Sequence, residues 1–202
     1  MDIATTRTRV TKSPEDRRHD LLNAAIEVFT EEGIGEATVA DICAAAGVAK
    51  GTFYLYFESR EHLLGALRES LVDDVLERAN EYILKAGTED WWALVDGFTE
   101  TMIDLLYEQK DIILAFTREG LSAETADVFA DCDRRLTEVI AGGIAMGVEA
   151  GAFAVENPDA TAALIHHAVE GIVLGATLYA SGLTRDQIVS AAKELVHKAL
   201  AP

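Results

Sequence analysis

The sequence predicts an all-α protein. Three observations carry this: prolines stand only at positions 14, 158 and 202, the period-two alternation of half-buried strands is nearly absent, and apolar residues return at helical spacing along almost the whole chain. At 202 residues the chain can bury a sizeable core, with length for about one to one and a half average domains.

Ser13-Pro14-Glu15-Asp16 opens the first helix. A Ser N-cap precedes a Pro at the first helical position, where its missing N–H costs nothing, and a carboxylate three residues on completes a capping-box-like arrangement. Leu22, Ala25, Ile26 and Phe29 form one apolar stripe, and Gly33 stands where a C-terminal cap is expected. Thr38 opens a short second helix, with Asp41 three residues on, Val39, Ile42 and Ala45 as its expected inner face, and Gly47 as its stop. KGTFYLYF begins a third helix, in which Phe53 and Phe57 at i and i+4 are set to bury together while Thr52, Tyr54 and Tyr56 point elsewhere. Two short helices around a tight glycine-containing turn make a helix-turn-helix, whose second helix is sized for a DNA major groove. Ser59 caps a longer fourth helix carrying Leu63, Leu64, Leu67, Leu71 and Val75, expected to run to about Gly87. Segments near 89–109, 110–119, 123–150, 158–181 and 184–200 follow, giving about nine helices. DATAALIHHAVEGIVLGATLYA is apolar nearly all round, so it needs cover on two sides, one from its own domain and one from a partner subunit. The last helix places Ile188, Ala191, Ala192, Leu195 and Ala199 on one stripe, expected to extend that face.

Composition excludes several classes. Half the residues are hydrophobic and 26% charged, an ordinary globular balance, and no 18-residue apolar run free of charge is present. The first 18 residues lack the apolar core of a secretory signal, so a cytoplasmic location and no membrane partner are expected. Cys43 and Cys132 are far apart and belong to no metal-spaced cluster, so reduced thiols are expected. The formal charge is −18 but uneven: residues 1–60 carry 7 basic and 10 acidic side chains, residues 61–202 carry 10 and 25. The one locally positive stretch is an N-terminal arm with Arg7, Arg9, Lys12, Arg17 and Arg18.

The stretch LLNAAIEVFTEEGIGEATVADICAAAGVAKGTFYLYFESREHLL resembles the N-terminal DNA-binding region of the TetR family of bacterial transcriptional repressors. Over residues 17–67 it has that family's order and spacing: an amphipathic helix ending in Gly, T-V-x-D-I-x-x-x-A-G-V, K-G-T-x-Y-x-Y-F, and a following L-L. The resemblance implies a helix-turn-helix DNA-binding domain over 1–58, with the basic arm, and a helical effector-binding and dimerisation domain over 59–202. It further implies that Thr38 offers a hydroxyl or amide to a phosphate, and that Lys50, Gly51 and Thr52 open the recognition helix near base edges. Tyr54, Tyr56 and Arg60 would contact phosphates. The family often has Ser where this chain has Ala49, which removes a side-chain cap from the recognition helix and puts a phosphate contact there in doubt. Phe29, Ile42, Val48, Phe53 and Phe57 read as core.

Trp91, Trp92, Phe98, Met102, Leu106, Phe116 and Phe129 lie on segments that in this family surround an effector pocket, and the pocket expected here draws on Trp92, Phe98, Met102, Phe116, Phe129, His166 and Glu170. Such a lining suits a small hydrophobic molecule held by a few polar groups, for which His166, Glu170 and Tyr179 are candidates. His166 and Glu170 at i and i+4 can share one metal, yet sequence offers no third ligand nearby, and adjacent His166 and His167 project about 100° apart on a helix. No metal, cofactor or catalytic residue is therefore expected. An enzyme would need a nucleophile with its base, a phosphate-binding glycine loop or a metal set, and none is evident. The expected function is a ligand-responsive regulator, most simply a repressor released from a palindromic operator. Its partners are double-stranded operator DNA, a small-molecule effector and a second copy of the chain. The alternative is a helical scaffold or adaptor with an idle recognition helix.

Overall fold

The computed structural model describes residues 13–86, 89–119, 122–179 and 181–201, and among these the chain forms eight α-helices and no strand. These are α1 (Pro14–Glu32), α2 (Val39–Ala45), α3 (Lys50–Phe53), α4 (Arg60–Ala86), α5 (Trp91–Glu119), α6 (Ala126–Glu149), α7 (Pro158–Leu178) and α8 (Arg185–Leu200). Eight rather than nine results because the segments expected near 89–109 and 110–119 are one helix. The polar Gln109-Lys110-Asp111 step contains neither Gly nor Pro, so nothing stops the hydrogen-bond ladder there. The arm residues Arg7, Arg9 and Lys12, and the helix end expected at Gly87, lie outside the described residues. The chain divides into two compact units, one ending at Leu63 and one beginning at Leu64, a few residues beyond the boundary expected at 58.

In the first unit the capping boxes form as the sequence requires. The Asp16 N–H donates to Ser13 Oγ at 3.0 Å and the Ser13 N–H donates to the Asp16 carboxylate at 3.2 Å. Gly33 closes α1 at φ 90°, its N–H donating to the Phe29 carbonyl at 3.1 Å. After α2, Gly47 takes φ 65° and donates to the Ala44 carbonyl at 3.1 Å, while the Val48 N–H reaches the Cys43 carbonyl at 2.9 Å. This paired closure needs a left-handed residue, hence the glycine. Phe29, Ile42, Phe53 and Phe57 pack as a core with essentially no exposure. On α2, Cys43 rather than Ala45 joins Ile42 inside, because the helix is only two turns long and its buried arc centres on that pair.

The second unit packs α6 along α7, and sets α5 against both α7 and α8. Ile103, Val169, Val173 and Ile188 join the faces of α5, α7 and α8, and Val72, Val75, Leu105, Cys132 and Leu136 join α4, α5 and α6. Each large aliphatic buried this way contributes about 1.5–3 kcal/mol. Arg185 at the start of α8 ties back to α5 by donating to Asp104 at 2.6 Å and Glu100 at 3.1 Å, and Lys193 donates to Glu100 at 2.7 Å. The expected α8 stripe splits: Ile188 and Ala192 face inward with Val196, while Ala191, Leu195 and Ala199 face solvent. Helix α7 is long and apolar enough to cross a membrane by composition, but it buries Ala162, His166, Val169, Val173 and Leu174 within this unit. Its other side leaves Leu164 73% exposed, together with Ala168, Gly171 and Ile172.

Candidate functional site

Two features carry functional chemistry, one in each unit. The first is the surface around the turn between α2 and α3. Helix α3 is a single turn, shorter than a groove-filling recognition helix, but its ladder continues in tighter bonds: the Leu55 N–H donates to the Thr52 carbonyl at 3.2 Å, and the Tyr56 and Phe57 N–H groups reach the Phe53 carbonyl at 3.0 Å. Phe53 and Phe57 anchor this stretch by burial, with ring centroids 5.6 Å apart. Ala49, Lys50, Gly51 and Tyr54 are exposed, Tyr54 to 51%, and Thr52 and Tyr56 are half-buried beside them. Ala49 makes no side-chain cap, so the first N–H groups of α3 remain available. Leu55, 79% exposed beside Tyr54, escaped notice in the sequence because its neighbours dominated the pattern.

Two residues of the expected contact set are already engaged. The Thr38 N–H and hydroxyl both donate to the Asp41 carboxylate, which holds that carboxyl below the usual carboxylate range, so Thr38 has no spare donor for a phosphate while the box is closed. Arg60 directs its guanidinium to the Ile34 and Ala37 carbonyls and to Glu61. It therefore braces the loop between α1 and α2. Arg18 lies with its guanidinium 5.4 Å over the Phe57 ring, a contact that stiffens the same core.

The second feature is a cavity of about 370 Å³ within the second unit, lined by α4 to α8. Phe98, Met102 and Leu106 line it from successive turns of α5, with Trp91, His166 and Glu170, as expected. Trp92, Phe116 and Phe129 do not. Trp92 packs on Phe153 and His197 at 5.2 and 4.6 Å between ring centroids, and Phe116 and Phe129 pack edge to face on each other at 5.2 Å. Each packs on other side chains instead, a choice of neighbour that a run of aromatics cannot specify from sequence. Tyr179 is 82% exposed and lies away from the cavity. Arg68, not anticipated, lines it from α4. Its guanidinium lies 5.7 Å over the Phe129 ring and its Nε is buried with no hydrogen-bond partner. Its signal was position: Leu64, Arg68, Val72 and Val75 share one stripe of α4, so a cation there had to face inward.

His166 and His167 also depart from expectation. A third potential ligand comes from α6, where Asp133 places its two carboxylate oxygens 3.5 Å from His166 Nε2 and 3.7 Å from His167 Nε2. The adjacent rings tilt towards each other with centroids 5.0 Å apart, because rotation about the side-chain bonds overcomes the offset of their Cβ directions. Burial holds the His166 imidazole below its ordinary value against the opposing pull of Glu170 and Asp133. Cys43 and Cys132 are free and buried, and burial pushes both thiols up.

Residues 21–67 match the family model for bacterial regulatory proteins of the tetR family, and residues 108–201 match that for the C-terminal part of BetI-type transcriptional repressors. The HTH-type transcriptional regulator YvdT of Bacillus subtilis is 36% identical over 103 residues, 51% of this chain and 52% of that protein, so the chain spans about half of that relative's length. The HTH-type transcriptional repressor KstR2 of Rhodococcus jostii is 25% identical over 146 residues, 71% of each chain. Among solved structures, the fatty acid degradation regulator FadR from Bacillus halodurans superposes with TM-score 0.79 at 21% identity, covering 92% of this chain and 96% of that one. FadR from Bacillus subtilis, solved in complex with stearoyl-CoA, superposes with TM-score 0.78 at 19% identity, covering 90% and 98%.

Proposed function

Because the chain belongs to the TetR family of bacterial regulatory proteins, we propose that it is a repressor released from a palindromic operator by a small hydrophobic effector. The observation that carries this is the pairing of an exposed Lys50–Tyr56 surface, held rigidly on a buried Phe53–Phe57 anchor, with a 370 Å³ apolar cavity in the second unit. Lys50 and Gly51 supply a cation and a side-chain-free approach at the start of α3, and Tyr54 and Tyr56 supply phenol donors for phosphates. Thr52 stands with them at the same helix start, where its hydroxyl could reach a base edge. Thr38 and Arg60 support the surface indirectly, by holding its loops.

A dimer is part of the proposal. The outward residues Leu164, Ala168, Gly171 and Ile172 of α7, with Leu195 of α8, form an apolar and small-residue face suited to a symmetry-related copy. Two recognition helices related by that symmetry would read half-sites about 34–36 Å apart. The acidic balance of residues 61–202 disfavours a DNA contact by that part of the chain. This activity belongs in the cytoplasm, where the DNA is.

The cavity lies within the range of ligand sites, about 300–1,000 Å³. Its apolar walls and the unpartnered Arg68 Nε favour an effector with an apolar body and one anionic or acceptor group. The stearoyl-CoA in the Bacillus subtilis FadR structure supports a ligand of that general character. Helix α4 carries Arg68, Val72 and Val75 in the cavity wall and begins at Arg60, the brace of the α1–α2 loop, so one helix joins ligand-contacting residues to the DNA-binding unit. A gel-shift against DNA flanking the protein's own gene tests the proposal. Retardation at nanomolar protein and physiological salt supports it, whereas binding no tighter than to unrelated DNA favours the scaffold alternative.

A further inference from the structure

Asp133, His166 and His167 converge across the α6–α7 contact with one potential ligand atom from each lying within 4.8 Å of the others. We propose that these three side chains form a binding site for a divalent transition-metal ion of the zinc type, ligated by the two Nε2 atoms and a carboxylate oxygen of Asp133. Ligands about 2.0–2.2 Å from zinc at tetrahedral angles sit roughly 3.4 Å from one another. The separations from His166 Nε2 to one Asp133 oxygen, 3.5 Å, and from His167 Nε2 to the other, 3.7 Å, lie near that spacing, and a small rotation of the Asp133 side chain would bring a single oxygen to both nitrogens.

A second observation is independent of the clustering. His166 is only 6% exposed, and its Nε2 has no hydrogen-bond partner although Asp133 is near. A buried ring nitrogen without a partner is a cost that a metal bond to it removes. Glu170 supplies a suitable outer group: its carboxylate lies 4.0 Å from His167 Nδ1, the nitrogen that must carry the proton when Nε2 binds metal. Two carboxylates, Asp133 and Glu170, offset the charge of the ion, and Arg68 is the cation that opposes it. Two imidazoles and one carboxylate suit zinc, cobalt or nickel and are a poor set for magnesium or calcium. Because His166 also lines the cavity, the ion would fasten α6 to α7 beside it, with a fourth position left for a water or another ligand.

The site is independent of DNA binding, so its failure and that of the proposed regulator are separately visible. The full chain, prepared without metal-affinity steps and treated with chelator, is titrated with Co²⁺ for its visible ligand-field absorption and with Zn²⁺ by calorimetry. The expected result is about one ion per chain, with at least a tenfold loss of affinity in His167→Ala and in Asp133→Asn, both at partly or fully exposed positions that preserve the helical circular dichroism. His197→Ala removes the His197–Asp96 pair, 2.8 Å apart, as a competing surface site and should leave the affinity unchanged. No binding by the parent chain, full affinity in either ligand variant, or loss confined to His197→Ala would overturn the proposal.

Discussion

Gly171→Ala separates the behaviour of one protomer from that of a dimer, because the two predict opposite signs. Gly171 lies inside α7 on its outward side, and a Cβ built there meets nothing within 4 Å. Within a lone protomer the substitution therefore collects only the helix-propensity gain, about 0.8–1 kcal/mol. If Leu164, Ala168, Gly171 and Ile172 instead meet a symmetry mate, the twofold axis delivers the methyl group from both sides into a close contact. Overpacking of that kind costs about 1–3 kcal/mol. Since about 1.4 kcal/mol is a factor of ten, the dissociation constant of the dimer should rise by roughly 5- to 150-fold. Sedimentation equilibrium over a dilution series reads that constant, and urea unfolding at micromolar protein reads the sign of the stability change. A higher urea midpoint with unaltered association would refute the assignment of this face to the dimer contact.

Thr38→Ala removes the N-cap of α2 and should destabilise the first unit by about 0.5–2 kcal/mol, seen as faster hydrogen exchange at the amides of α2. Gly147→Ala brings a Cβ to 2.1 Å from two carbons of the Phe153 ring, which Trp91 and Trp92 hold edge-on, so overpacking should exceed the propensity gain and lower the urea midpoint. Lys193 first and Arg185 second hold the Glu100 carboxyl below its ordinary value. The stability from that depressed carboxyl is present above the unfolded value near pH 4.3 and is lost as pH falls through the folded one. The gap between wild type and Glu100→Gln should therefore be full above the unfolded value and narrow as the pH is lowered through the folded one, and a gap that widens on acidification would contradict the linkage.

Local chemistry made the N-terminal unit legible. Ser13-Pro14, Thr38 with Asp41, Gly33 and Gly47 fix helix ends through bonds that span three to five positions, and those ends appear where the sequence placed them. Phe53 and Phe57 announced the anchor of the recognition stretch by their spacing alone. The second unit yielded less because its decisions are made between helices. Nothing local to α5 says that Phe116 turns towards Phe129 rather than the cavity, and nothing within α7 shows that Asp133, more than thirty residues earlier, closes on His166 and His167. Arg60 has partners that no local pattern announces: its guanidinium reaches the carbonyls of Ile34 and Ala37, more than twenty residues earlier.

The most direct test of the account is equilibrium binding to an operator. Fragments selected from genomic DNA by the wild-type protein would be measured by fluorescence anisotropy against wild type, Lys50→Ala and Tyr54→Ala at several salt concentrations. The account predicts salt-dependent binding of a near-palindromic sequence, weakened in both variants while their folding is retained, with Tyr54→Ala weakening all sequences alike. Wild-type affinity in both variants at matched salt would contradict it.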